Sequence, residues 1–170
     1  MKIEREGELL LLVKKQMDMI EAAQRHAGGA GTEPQVAGLA QLRGIGITSG
    51  WMLAKELFGW RRFRNRREVA GFLGLTPSPY ASGESETEQG ISKAGNRRAR
   101  TPLLELAWSW LRYQPQSEWS QWFNRRFAGG GKRLRRIGIV GLARRLAIAL
   151  WRYLEDGLIP QGAKLKPIEA

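Results

Sequence analysis

The sequence predicts an all-α domain, and three observations predict it. Apolar residues recur at helical spacing along most of the chain, glycine and proline cluster between those stretches, and the one long internal block without a helical period is 75–96. That one block leaves room for a short β-hairpin. With 170 residues and 42% hydrophobic content, the chain can bury one core plus an appended element, but not two full cores. Seven tryptophans supply the bulky apolar surface that disordered chains lack, despite 21 glycines.

Charge narrows the function. Lys and Arg number 28 against 16 Asp and Glu, a formal charge of +12 that exceeds what solubility requires. A polyanionic partner follows. The chain has no cysteine, which excludes a disulfide framework and a thiolate metal site, and nothing speaks for an oxidising compartment. The apolar run 9–13 is broken by Lys14 and Lys15, too soon for a membrane span or a signal. A cytoplasmic protein without a membrane partner is expected.

Four segments divide the chain: a helical arm over 1–27, a linker over 28–35, the main domain over 36–157 and a flexible tail over 158–170. In the arm, Leu9, Val13, Gln16 or Met17, Ile20 and Ala23 form a stripe suited to a coiled-coil seam of about three heptads, and hence to a homo-oligomer. A plain core-packing helix is the alternative. His26, the only histidine, stands beside glycines and receives no role. Residues 26–34, HAGGAGTEP, carry Gly, Thr and Pro without apolar period, the composition of a link.

Residues 36–60 read as two short helices around Gly44-Ile45-Gly46, a helix-hairpin-helix pattern with Thr48 or Ser49 as cap of the second helix. The glycines permit a tight turn and expose amides that can receive a phosphate without reading bases, which makes Gly44 and Gly46 candidate nucleic-acid contacts. An ordinary αα-corner accounts for the same residues. Next comes Trp60-Arg61-Arg62-Phe63-Arg64-Asn65-Arg66-Arg67. Its basic residues Arg61, Arg62, Arg64, Arg66 and Arg67, interleaved with aromatics, suit backbone contacts plus stacking, with a solvated turn as the alternative. A helix from about 66 to 73 buries Val69, Phe72 and Leu73 and stops near Gly74.

The block 75–96, LTPSPYASGESETEQGISKAGN, is long for an idle connection. GLTPSPYASG, followed by GISKAGNRRAR, resembles the C-terminal domain of the transposases of DEDD-type insertion sequences, the bridge-RNA-guided recombinases. The resemblance runs from about residue 36 to 157, through LRGIG, the 60–63 turn and the 130–132 turn to the last helix. It implies a serine that attacks DNA, by motif Ser82; a guide RNA; and a separate RuvC-like domain whose four acidic residues hold divalent metal. No cofactor is expected in this chain itself. Because the sequence begins inside what resembles the connecting coiled coil, a half-protein or a truncated gene is expected. A RuvC-like half encoded separately would then be the partner, and a remnant that only binds nucleic acid or assembles through its arm is the alternative.

The residues agree with Ser82 as nucleophile, since Gly83 beside it leaves the hydroxyl little obstructed. Ser78, Ser85 and Ser92 are weaker candidates. Arg97 and Arg100 are the candidate catalytic cations for stabilising the phosphorane, and Lys93, Asn96 and Arg98 the neighbouring nucleic-acid contacts. No histidine lies near, so a Ser-His-Asp arrangement within this chain is excluded. Glu84, Glu86 and Glu88 alternate on a polar loop and are read as solvated, not as metal ligands. One departure from the family pattern is Arg100-Thr101-Pro102, where Pro102 is expected to restart the helix with Thr101 as cap.

Helices over 103–113 and 117–127 carry Trp110, Trp119, Trp122 and Phe123 at core spacing. Gly129-Gly130-Gly131-Lys132-Arg133 lacks the spacing of a nucleotide-binding phosphate loop. Lys132, Arg133, Arg135 and Arg136 are instead read as a basic turn on DNA, leading into a helix over 137–154 with Val140, Ala143, Ala147, Leu150 and Leu154 on one face.

Overall fold

A computed structural model describes the backbone of residues 2–29, 32–82 and 85–167, and the side chains of 5–27, 32–77 and 90–167. Among these residues the fold is almost entirely helical, as expected. Helix α1 (Lys2–Gly29) is the arm. Its apolar residues stay out of the core: Leu10 is 71% exposed, and Leu9, Val13, Met17 and Ile20 are exposed as well. The core-packing alternative for the arm therefore fails. Only its C-terminal end meets the body, where Trp51 Nε1 donates to the carbonyl of Gln24 at 3.0 Å.

Helix α2 (Pro34–Gln41) starts on a proline, whose fixed φ and missing N–H suit a first turn. Helix α3 (Ile47–Leu53) continues into a π turn (Ala54–Phe58). Its N-cap is Gly46 and no side chain caps it. Thr48 and Ser49 lie inside the first turn, past the position where a hydroxyl could cap, which corrects the expected capping.

Helix α4 (Arg66–Phe72) is capped by Asn65, whose side chain accepts from the amides of Arg67 and Glu68 at 2.9 and 3.1 Å. It ends as expected at Gly74, at φ +64°. Strands β1 (Pro77–Ser82) and β2 (Ser85–Ile91) pair antiparallel with Ser82 opposite Ser85, and the register shifts between Pro77 and Ser78.

Helix α5 (Arg97–Tyr113) runs unbroken through Thr101 and Pro102. The expected restart at Pro102 is corrected: the Asn96 side chain accepts from the amides of Arg98 and Ala99 at 2.9 and 3.2 Å and starts the helix there. Pro102 lies in the second turn, where it leaves the Arg98 carbonyl without its intrahelical donor, and the helix continues through it.

Helix α6 (Glu118–Phe127) is capped by Ser117, and α7 (Lys132–Asp156) ends at Gly157, at φ +70°. Trp110, Phe123, Leu103, Leu142 and Leu146 are fully or almost fully buried where α5, α6 and α7 meet. On α7 the buried face holds Ile139, Leu142 and Leu146 beside the expected Ala143, Ala147 and Leu150, while Val140 and Leu154 sit at its margin. Gly138 lets α6 cross closely, since a Cβ there would strike the rings of Phe123 and Phe127.

The tail differs from the flexible segment expected over 158–170. As far as residue 167 it folds back: Arg43 N donates to Lys164 O, Lys166 N to Gln41 O, and Glu118 N to Gln161 O, at 2.7 to 3.0 Å. The sequence shows no apolar period here because the tail docks through backbone groups, which no side-chain pattern reports.

Candidate nucleic-acid interface

The serine hairpin is rooted where α4 ends and α5 begins. Successive backbone bonds join the two sides of the root: Ser92 N to Thr76 O at 2.9 Å, Lys93 N to Gly74 O at 3.1 Å, and Asn96 N to Phe72 O at 2.7 Å. Gly95 is indispensable to this closeness, because a Cβ there would collide with the backbone of Phe72, Leu73 and Gly74. Lys93 adopts φ +54°, in the left-handed region.

Arg100 reaches back over the root, its Nη1 donating to Leu73 O at 3.0 Å and Lys93 O at 3.1 Å. It thus satisfies a carbonyl at the end of α4 while holding the strained residue in place. Asn96 is equally committed: besides capping α5, its Nδ2 donates to the carbonyl of Glu56 at 3.4 Å and to Glu56 Oε2 at 3.3 Å.

Exposed cations surround this root. Lys93, Arg97 and Arg98 are exposed, as are Arg61, Arg62, Arg64, Arg66 and Arg67 in the turn before α4. The Arg61 guanidinium lies 4.9 Å from the ring centre of Phe72, and Trp60, edge-on to Phe72, is 63% exposed. Ser82 is the last residue of β1, at the far end of the hairpin from the root. The side chains of Ser78, Ser82 and Ser85, and those of Glu84, Glu86 and Glu88, lie outside the described residues. Ser92 is at the root, its Oγ 3.5 Å from Thr76 Oγ1. His26 is exposed on α1.

The glycine turn sits elsewhere. Ser109 Oγ donates to Gly44 O at 3.0 Å, which places the turn about 18 Å along α5 from Arg97 at 1.5 Å per residue. The turn's carbonyls face inward: Gln114 Nε2 holds Arg43 O at 2.8 Å and Lys166 Nζ holds Ile45 O at 2.8 Å. Lys132, Arg135 and Arg136 line an open cleft of about 340 Å³ with Trp108, whose ring centre lies 5.9 Å from the Arg135 guanidinium. Arg133 is exposed on the same first turn of α7. The sequence-predicted residues therefore form two groups, one around the hairpin root and one toward the other end of α5.

Two residues that organise the second group escaped sequence reasoning. Gln114 is buried and its amide closes three bonds, to Arg43 O, Lys164 O and Lys164 N, each 2.8 Å. Ser117 is buried and accepts from Trp110 Nε1 at 2.9 Å while capping α6. The Ser at a helix start was a readable signal for the second; nothing local signalled the first.

A sequence profile described as the transposase IS116/IS110/IS902 family matches residues 36–120, half of the chain, spanning the glycine turn, hairpin and α5. The chain belongs to that family. It is 44% identical over 135 residues to y4rJ of Sinorhizobium fredii, which bears a transposase name; the match covers 79% of this chain and 34% of y4rJ. It is also 29% identical over 161 residues to a family 20 transposase of Pseudomonas aeruginosa, covering 87% of this chain and 45% of that one. The transposase for insertion sequence element IS1328 of Yersinia enterocolitica is 27% identical over 123 residues, covering 71% of this chain and 36% of that one. The chain thus spans between a third and a half of these relatives. No helix among the described residues is long and apolar enough to cross a membrane.

Proposed function

We propose that this chain is the DNA-gripping, serine-bearing portion of an insertion-sequence transposase of the bridge-RNA-guided, DEDD type, acting in DNA transposition. The observation that carries the reading is the position of Ser82 at the tip of a hairpin whose root is braced by Gly95, Asn96 and Arg100 and ringed by exposed Lys93, Arg97 and Arg98. A rigid mount with a polar projection and free cations fits a nucleophile delivered to a phosphodiester.

In the proposed step the Ser82 Oγ attacks phosphorus, an Oγ–P bond forms, and the P–O bond to the leaving deoxyribose oxygen breaks. The hydroxyl proton passes to a base and the leaving oxygen takes one up. Among the described residues no cluster of three His, Cys, Asp or Glu can hold a metal ion. The base and any metal belong, by the family resemblance, to the RuvC-like domain. Arg97 and Arg98, at the hairpin root and not beside Ser82, balance the charge of flanking phosphates, and the glycine turn at Gly44 and Gly46, read as a helix-hairpin-helix, and the Lys132–Arg136 turn hold flanking duplex or guide RNA. The exposed stripe of α1 pairs with a second copy as a coiled coil.

The test is a reaction reconstituted from this chain, a RuvC-like partner, guide RNA and DNA, with covalent adducts mapped by mass spectrometry. The adduct is expected on Ser82 and is abolished by Ser82→Ala with DNA affinity nearly intact. An adduct that persists in Ser82→Ala moves the nucleophile to Ser78, Ser85 or Ser92. No adduct in any complex leaves a remnant that binds only.

A further inference from the structure

Along the C-terminal half of α7, the returning tail closes one side of a cleft of about 310 Å³. Arg145 and Arg152 of α7, two turns apart on one helix face, line it together with Arg66 at the start of α4. Glu118 is the one carboxylate in its wall, against three guanidinium groups. Trp119 and the Leu158–Ile159 stretch of the tail supply apolar wall.

Arg145 is the distinctive residue. Its guanidinium lies 4.3 Å from the ring centre of Trp122 and 5.1 Å from that of Trp119, half-buried between two indoles. Among the described residues it makes no hydrogen bond and no ion pair, so its five N–H donors have no protein acceptor. A cation this confined is fixed in place by cation–π contact while its donor edge remains unused. Burial lowers its pKa, Glu118 opposes that effect, and the like charges of Arg126 and Arg144 add to it. A second anion in the cleft would relieve all of these costs together. Arg66 also belongs to the basic turn 61–67, so the cleft continues the positive surface that flanks the hairpin root.

We propose that this cleft is a phosphate-binding pocket, in which Arg145, Arg152 and Arg66 receive one backbone phosphate of a bound nucleic-acid strand. The proposal rests on the reading that the chain handles nucleic acid, and it adds a contact point beyond the glycine turn and the Lys132–Arg136 turn. The arrangement suits a phosphate better than a carboxylate, because three guanidinium groups converge from two helices on a tetrahedral set of acceptors.

The experiment uses the full chain. Inorganic phosphate is titrated while the indole N–H resonances of Trp119 and Trp122 are followed by NMR, and a fluorescent 20-mer, single-stranded or duplex, is titrated by anisotropy at several salt concentrations. Two variants of opposite sign accompany the wild type: Arg152→Gln, on an exposed residue whose loss leaves the core alone, and Glu118→Gln. Phosphate should move both indole resonances. Arg152→Gln should weaken phosphate and 20-mer about threefold or more and flatten the salt slope by about one, whereas Glu118→Gln should strengthen both. If the 20-mer binds but neither variant alters its affinity or slope, the pocket is refuted while the nucleic-acid reading stands. If phosphate shifts the indoles and both variants respond, yet neither 20-mer binds, the source is free phosphate and the nucleic-acid reading falls. Unmoved indoles with unchanged variants overturn the pocket outright.

Discussion

The two ends of α5 hold a loop each, and they do so in opposite ways. At the N-terminal end, Asn96 and Arg100 turn inward to clamp the hairpin root, while Lys93, Arg97 and Arg98 stay exposed around it. At the C-terminal end, buried Gln114 seals the glycine turn and the tail with hydrogen bonds, and buried Ser117 holds the Gln114 carbonyl. The first end is a mount that leaves charge free. The second is a seam that stabilises, and the difference teaches that polar residues close in sequence can serve the fold or the surface according to which backbone carbonyl lies within reach.

The sharpest way to break the comparison is Gly95→Ala. The added methyl meets backbone rather than a movable side chain, so a destabilisation of about 3 kcal/mol is expected in urea unfolding, with the hairpin root displaced. A loss under half of that would mean the root is looser than the backbone bonds indicate. Gln114→Leu follows: it leaves the Arg43 carbonyl and the Lys164 amide without their partner, while Lys164 O keeps the Arg43 amide, at about 2 kcal/mol in total after partial rehydration. Its effect should appear as a lower urea midpoint, with the backbone amides of Arg43 and Lys164 losing hydrogen-exchange protection.

Arg100→Gln is expected to cost about 1 kcal/mol, because its bonds to two carbonyls are charge-assisted but partly exposed. Smallest is Tyr153, whose hydroxyl donates to Gly38 O at 3.1 Å and whose pKa burial raises above the usual tyrosine value. A raised folded pKa means stability present below the unfolded value near 10 and lost as pH rises through the folded value. Thermal midpoints should therefore fall above about pH 10, and Tyr153→Phe should blunt that fall.

Much of the fold was legible. Helical periodicity located every helix, Gly74 announced the end of α4, and the aperiodic serine block was the place where a hairpin formed. The arm's stripe was legible as a helix, yet its neighbours were not. Three features were hidden for physical reasons. Pro102 marks a boundary by composition, but α5 starts at the Asn96 cap and buries Ala99 and Leu103 on either side of the proline, so packing carries the helix through it. The tail docks through main-chain groups. Gln114 and Arg145 act through partners 71 residues away and across helix faces respectively, which local spacing does not encode. At the candidate site, the sequence placed Arg97 and Arg100 in one role, whereas the structure gives Arg100 a carbonyl-clamping position that Arg97 does not share.

That contrast is also the most direct test of the account, which holds that exposed arginines at the hairpin root grip phosphate while the inward one holds the mount. The measurement is the slope of log affinity against log salt for duplex DNA, in wild type, Arg100→Gln and the Arg97→Gln/Arg98→Gln double variant. The account predicts a slope shallower by about two in the double variant, one for each phosphate left without its cation, and a slope unchanged in Arg100→Gln despite its lower stability. A slope that falls in Arg100→Gln and stays at the wild-type value in the double variant would contradict it.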